Sequence, residues 1–187
     1  MTRTLRFPWY AALPPLALLG LLGALVVNDA RAQSVARQAK ALQSEFQFDA
    51  AHALRREAAQ RNPRDAQLQL ALGQSARTLW NFRDTPELRQ EADAAFDRAA
   101  RLSPHWAVPH YEHARMYAFK EQYARALSLL APALKLDPNN AGYWLERARS
   151  LEGLNRGEEA RAAYARCWAI DTVQDCEVAL RRLGGQP

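Results

Sequence analysis

The chain has 187 residues, of which 49% are hydrophobic, 9% aromatic and 24% charged, with 8 Gly, 10 Pro and 2 Cys. That composition builds one folded domain with a short segment to spare; it excludes a second catalytic domain, a low-complexity chain, a disulfide scaffold and a four-ligand zinc site. The net charge of +5 is carried almost wholly by Arg, 22 against 3 Lys, and subtracting residues 1–32 (Arg3, Arg6 and Arg31 against Asp29) leaves 22 basic and 19 acidic residues, a net of +3, too little to call for a nucleic-acid partner.

Arg3 and Arg6 are followed by no charged residue from Phe7 to Val27. A membrane-spanning anchor needs roughly 20 apolar residues, and residues 7–27 supply that length if a helix accommodates Pro8, Pro14 and Pro15. Residues 16–27 alone form a 12-residue apolar run, the size of a signal-peptide core. Ala30 and Ala32, before Gln33, are the small side chains that a signal peptidase accepts. No Cys lies beside this site, which closes the lipoprotein route. Residues 1–32 are therefore expected either to be cleaved after Ala32 or to remain as an N-in, C-out anchor. Both outcomes place the bulk of the chain outside the cytoplasm, in the periplasm or beyond it.

The remainder is periodic. Ala92, Phe96, Ala99 and Pro104 are matched 34 residues later by Ala126, Leu130, Ala133 and Pro138, and 34 later again by Ala160, Tyr164, Cys167 and Thr172. Two small residues seven apart let a helix lie close against its neighbours, the large residue between them fills the gap, and Pro ends the helix. Extrapolated backward, the frame takes in Ala51, Ala58 and Pro63, after a helix carrying Val35, Ala39 and Leu42. Residues 33–65 thus read as a degenerate repeat and N-terminal cap, with Arg55 where the large apolar residue should be. Residues 66–172 hold three units. The first is seven residues longer than the period, the insertion falling at residues 79–85 before a helix start at Thr85 and Pro86. Ahead of the second helices, His110, Ala114 and Tyr117 of the second unit are matched by Trp144, Ala148 and Leu151 of the third. A closing helix is predicted over residues 173–187, with Val173, Cys176, Val178, Ala179 and Leu180 as its apolar side and Gly184-Gly185 as its end.

With Leu72-Gly73 and Ala76 in the first unit and Leu136-Asp137-Pro138-Asn139-Asn140 at a junction, the chain resembles a tetratricopeptide repeat (TPR) array, whose 34-residue pattern is W-x2-L-G-x2-Y, A-x3-F, P. His113 and Arg147 depart from it where Leu is expected. The resemblance implies an all-α, right-handed α-solenoid of helix-turn-helix units with helical caps. It also implies that the first helices line a concave groove for a partner peptide, here Leu70, Gln74, Arg77, Tyr111, Arg115, Phe119, Leu145, Arg149 and Glu152. Arg115 and Arg149, one period apart beside Tyr111 and Phe119, suit an acidic or carboxylate-bearing segment. The Lys and Asn of the carboxylate-clamp members of the family are not reproduced.

No GxSxG, phosphate loop or HExxH occurs in the chain, so neither catalysis nor a cofactor is expected. His110 and His113 have a metal-compatible spacing but occupy packing slots of the repeat. Cys167 and Cys176 approach if the closing helix folds back; in an oxidising compartment they would pair, and otherwise they are two buried thiols. The functional expectation is a non-catalytic protein-interaction scaffold of the cell envelope, without nucleic acid as a partner. The alternatives are an RNA-binding helical repeat and an accessory part of polysaccharide or secretion machinery.

Overall fold

The computed structural model describes residues 13–184. Among them it contains nine helices and no strand: α1 (Leu13–Ser44), α2 (Phe48–Arg61), α3 (Ala66–Arg83), α4 (Pro86–Leu102), α5 (Val108–Phe119), α6 (Tyr123–Leu136), α7 (Ala141–Gly153), α8 (Gly157–Ile170) and α9 (Gln174–Arg182). Each helix packs on the next in sequence, and α3 also touches α5 as α5 touches α7. The first helices of successive units therefore stand side by side along the inner face of an α-solenoid, and the second helices form its outer layer.

The packing positions of the 34-residue frame are the driest places in the molecule. Ala92, Ala99, Ala126, Ala133, Ala160 and Cys167 have no exposed surface, and Phe96, Leu130 and Tyr164 are buried between them. Gly73 shows why the small slots are needed: a Cβ there would stand 2.8 Å from two ring carbons of Phe96. The degenerate unit keeps the frame, with Ala39, Ala51 and Ala58 buried. Its Arg55 hydrogen-bonds Gln43 from a half-buried position, and burial lowers its pKa. Asp65 caps α3, accepting from the backbone N–H of Gln67 and Leu68 at 2.8 and 3.1 Å.

The two kinds of turn are chemically distinct. Between the first and second helix of a unit the chain turns through a left-handed residue, Phe46, Asp84, Glu121 and Asn155 in succession, with φ from 52 to 61°. Between units the turns contain Pro63, Pro104 and Pro138. The inserted residues of the first unit lengthen α3 to 18 residues, against 12 in α5 and 13 in α7. The extension buries Trp80 beside Tyr117 and leaves Phe82 exposed.

Two polar networks tie the layers together. Glu91 of α4 accepts two bonds from Arg56, at 2.6 and 2.7 Å, and lies 3.1 Å from His52 Nε2. Burial acts to raise its pKa, but the bonds from His52 and Arg56 outweigh it and hold the carboxyl down at about 2. Asp93 accepts from Tyr117 at 2.8 Å and lies 2.7 Å from Nε2 of the buried His113, whose ring stacks on Phe96. Burial is again outweighed, and the pKa of Asp93 is lowered.

α1 runs without a break through Ala32 and Gln33, where the sequence suggested a boundary. Ala32 is fully buried and belongs to one core cluster with Ala58, Ala59, Leu68, Leu72 and Ala95. Asn62 donates to Asp29 at 2.6 Å, Asn28 to the Arg61 carbonyl at 2.5 Å and Gln33 to Asp65 at 2.9 Å. Among the described residues no helix is long and apolar enough to cross a membrane; residues 7–12 of the expected span lie outside them. At the other end, α9 buries Cys176, Ala179 and Leu180 against α8 and α7. Val178, expected on the apolar side, points outward at 58% exposure, because Ala179 and Leu180 already fill the contact. Gly184 ends the helix at φ 73°, and Gly185 lies outside the described residues.

Two outcomes follow for stability. Gly73→Leu should lower stability by ~1–3 kcal/mol because Phe96 has no room to yield, whereas Gly157→Ala, with open space around it, should not; thermal melts of both variants read the difference. Glu91 is ionised in the fold down to about pH 2 and in the unfolded chain only above about 4.5. Its contribution is complete above pH 4.5 and is lost as pH falls from there toward 2. Urea titrations at pH 6 and pH 3 should show a loss of up to ~2 kcal/mol for the wild type that is much smaller for Glu91→Gln.

Candidate functional site

The inner face is built by α3, α5 and α7, whose exposed residues recur because the helices repeat every 34 positions. Glu112 and Glu146 share one turn of that repeat as Arg115 and Arg149 share the next. The outcome is a ladder of alternating charge. Arg77 of α3 bonds the Glu112 carboxylate and, at 3.3 Å, the Glu112 carbonyl, both side chains being largely withdrawn from solvent. Arg115 reaches Glu112 only at 3.7 Å, and its guanidinium lies 5.5 Å from the centre of the Tyr111 ring. Arg149 leaves the ladder for Asp175 of α9 at 2.6 Å. Between the last two arginines Glu146 has no ion-pair partner among the described residues; burial, working against Arg115 and Arg149, pushes its pKa up.

Beside the ladder the Tyr111 and Tyr143 rings meet with centroids 4.7 Å apart, and burial raises the pKa of both hydroxyls. Tyr143 is part of the core under α5 and α6, so Tyr111 is held as a fixed wall of the groove. Leu145 is half-buried against the core next to it.

The groove residues expected from the sequence divide into four groups. Tyr111, Arg115, Leu145 and Arg149 come together on the open face. Leu70 does not: it is 9% exposed and belongs to the core cluster of Trp80 and Phe96. Gln74 and Arg77 stand partly buried on α3, Arg77 bound to Glu112. Phe119 is exposed at the far end of α5, by the turn to α6, and Glu152 is held by Tyr164 at 2.8 Å and Arg182 at 2.6 Å. Glu112 and Glu146 were not singled out in the sequence, although their 34-residue spacing was as visible as that of the arginines.

His113 is packed as the repeat frame requires, and among the described residues no group of His, Cys, Asp and Glu is arranged to hold a metal ion. Cys167 and Cys176, both fully buried, are joined by a disulfide with Cα atoms 6.2 Å apart. The bridge fastens α9, and with it Asp175 and Arg182, to the last repeat.

Residues 120–174 match the sequence profile of the tetratricopeptide repeat family. No curated protein matches the chain significantly in sequence. Among solved structures, MamA of Desulfovibrio magneticus RS-1 superposes with a TM-score of 0.67 at 18% identity, covering 82% of this chain and 83% of that one. The TPR protein TTC0263 of Thermus thermophilus gives 0.63 at 20%, covering 81% and 80%. YrrB, described as a TPR protein with an unusual peptide-binding site, gives 0.58 at 19%, covering 80% and 74%.

Cys176→Ser should destabilise the oxidised protein by ~2–3 kcal/mol, the loop-closure entropy of a short bridge, and loosen α9. Mass spectrometry of protein alkylated without reduction should find Cys167 and Cys176 linked, and two alkylated thiols would contradict it. The match over residues 120–174 and the superposed structures agree: the described chain has the tetratricopeptide-repeat fold.

Proposed function

We propose that the chain is a non-catalytic interaction scaffold of the cell envelope whose inner face holds an extended segment of a partner protein. The observation that carries this reading is the unfinished charge ladder. Arg115 is only loosely engaged at 3.7 Å, Arg149 is drawn off to Asp175, and Glu146 is desolvated between them. A peptide carboxylate can replace Glu112 at Arg115 or Asp175 at Arg149, and a peptide N–H or cation can satisfy Glu146, with Tyr111 and Leu145 supplying apolar contact. The partner segment is therefore acidic at one or two positions rather than along its length, since the face carries carboxylates of its own. The peptide-binding site of YrrB, on the same fold, supports the use of a TPR surface in this way.

The envelope setting rests on residues 1–27 and on the disulfide, which forms in oxidising compartments. Of the two fates expected for the N-terminal segment, retention is the better supported, because cleavage after Ala32 would remove a fully buried residue together with the bonds of Asn28 and Asp29. A mature N-terminus at Gln33 would overturn retention. For the groove, a partner captured from membranes should bind Arg115→Ala/Arg149→Ala at least about tenfold more weakly than wild type, ~1.4 kcal/mol, with helicity unchanged. Equal affinity, or a footprint on the outer second helices, would overturn the assignment.

A further inference from the structure

The basic residues of this molecule are not distributed evenly between paired and unpaired states. On the inner face, and at the edge where first helices turn into second ones, most are paired: Arg83 with Asp49 at 2.6 Å, Lys120 with Asp84 at 2.8 Å, Arg149 with Asp175 at 2.6 Å and Arg156 with Glu159 at 2.7 Å, while Lys40 and Arg89 beside those turns have no carboxylate within ion-pair distance among the described residues. The opposite edge, made by the proline-containing turns between units, carries Arg64, Arg98, Arg101, Lys135 and Arg166. All five are exposed and, among the described residues, none has a carboxylate within ion-pair distance. Arg98 and Arg166 bond neutral oxygens of the turns themselves, the Pro63 carbonyl at 3.1 Å and Asn139 at 3.2 Å. The acids of that edge are largely engaged: Asp65 as the α3 cap, Asp97 at 3.5 Å from His113 and Asp137 with Asn140 at 3.4 Å. Asp171 alone has no such engagement.

α1 emerges from this same edge. Its residues Leu19, Leu21, Leu22, Leu25, Val26 and Val27 are 49–69% exposed and rest on no other part of the described chain except at their base. There Leu25 and Val26 line an open cleft of about 610 Å³ together with Asn28, Asp29 and the turn residues Arg61, Asn62, Pro63 and Arg64. Apolar helix and basic turn thus share one cleft, with no linker between them, because Asn28, Asp29, Ala32 and Gln33 clamp the helix to the solenoid. Three of the five Trp also belong to this edge: Trp106 in the α4–α5 turn, Trp144 in the first turn of α7 and Trp168 in the last turn of α8, all half-buried.

From this arrangement we infer that the edge formed by the turns between units lies on a membrane surface, its unpaired Arg and Lys facing anionic phospholipid headgroups and its Trp rings at headgroup depth. The inference rests on the reading that residues 1–27 stay in the membrane, and it adds what that reading does not contain: an orientation. A flexible tether would let the solenoid tumble. Here the clamped helix enters the bilayer from the basic edge, so the turns between units are brought to the headgroups and the inner groove opens sideways, along the membrane plane, toward partners held in the same bilayer.

The test uses the full chain as Trp9→Phe, reconstituted into vesicles of phosphatidylcholine alone or of phosphatidylcholine with phosphatidylglycerol, with acyl chains brominated near the headgroup as quencher of the remaining Trp fluorescence. Quenching should be at least about twofold greater in the anionic vesicles and fall to the neutral value in ~1 M salt. Arg64→Glu/Arg101→Glu should also give the neutral value, while still floating with vesicles of either kind and keeping its helicity. Equal quenching in the two vesicles, or quenching of the double variant equal to wild type, would overturn the edge; so would dimers in detergent that the double variant abolishes, which would make a second copy its occupant. Failure to float with neutral vesicles would instead remove the anchor reading. The edge is then upheld by salt-sensitive flotation with anionic vesicles alone and overturned by its absence.

Discussion

Everything in this molecule depends on the close approach of helices at positions where a side chain larger than a methyl group cannot fit. Gly73 lets Phe96 pass over α3, and the fully buried alanines of α4, α6 and α8 set the same distance from unit to unit. One repeated distance produces one repeated rotation, so side chains 34 residues apart are carried to equivalent places on the inner face. The charge ladder is therefore a consequence of packing. Arg77, Glu112, Arg115, Glu146 and Arg149 fall in line because the alanines beneath them do.

The same periodic construction separates the functions of the surfaces. Turns inside a unit pass through left-handed residues, and Arg83 and Lys120 near them are answered by Asp49 and Asp84. Turns between units contain proline and leave their Arg and Lys unanswered. The inner face is intermediate, its strongest pair, Arg77 with Glu112, withdrawn from solvent and its later rungs progressively open. The disulfide closes the open end of this series: by fixing α9 it presents Asp175 to Arg149 and Arg182 to Glu152, so the last rung of the groove depends on the oxidation state of two buried sulfurs.

Much of the fold was legible in the sequence, because the small-large-small-Pro pattern is a local pattern and its positions are those that the structure buries. The degenerate first unit could be placed on the same frame even with Arg55 in the large slot, since its Ala51 and Ala58 kept their spacing. The candidate site was legible only in part. Tyr111, Arg115, Leu145 and Arg149 follow from the repeat register. Leu70 does not, because in the first unit that position is drawn into the core cluster of Trp80 and Phe96. Val178 failed for a related reason: a nine-residue closing helix has one narrow contact, and Ala179 and Leu180 fill it.

The sequence by itself determined the period, the helices and their small-residue contacts, since each depends on residues at short or repeating separations, whereas the joining of Cys167 to Cys176 waited on how α9 folds back. Only the tertiary structure decided which charges are paired. Glu112 reaches Arg77 across units, Asp175 reaches Arg149 from the closing helix and, among the described residues, no acid reaches Arg64 or Arg101; those distances come from how the units stack, which the identity of the residues does not specify. It decided, too, that α1 passes unbroken through Ala32, because burial of that alanine against α2, α3 and α4 exists only once those helices have assembled around it.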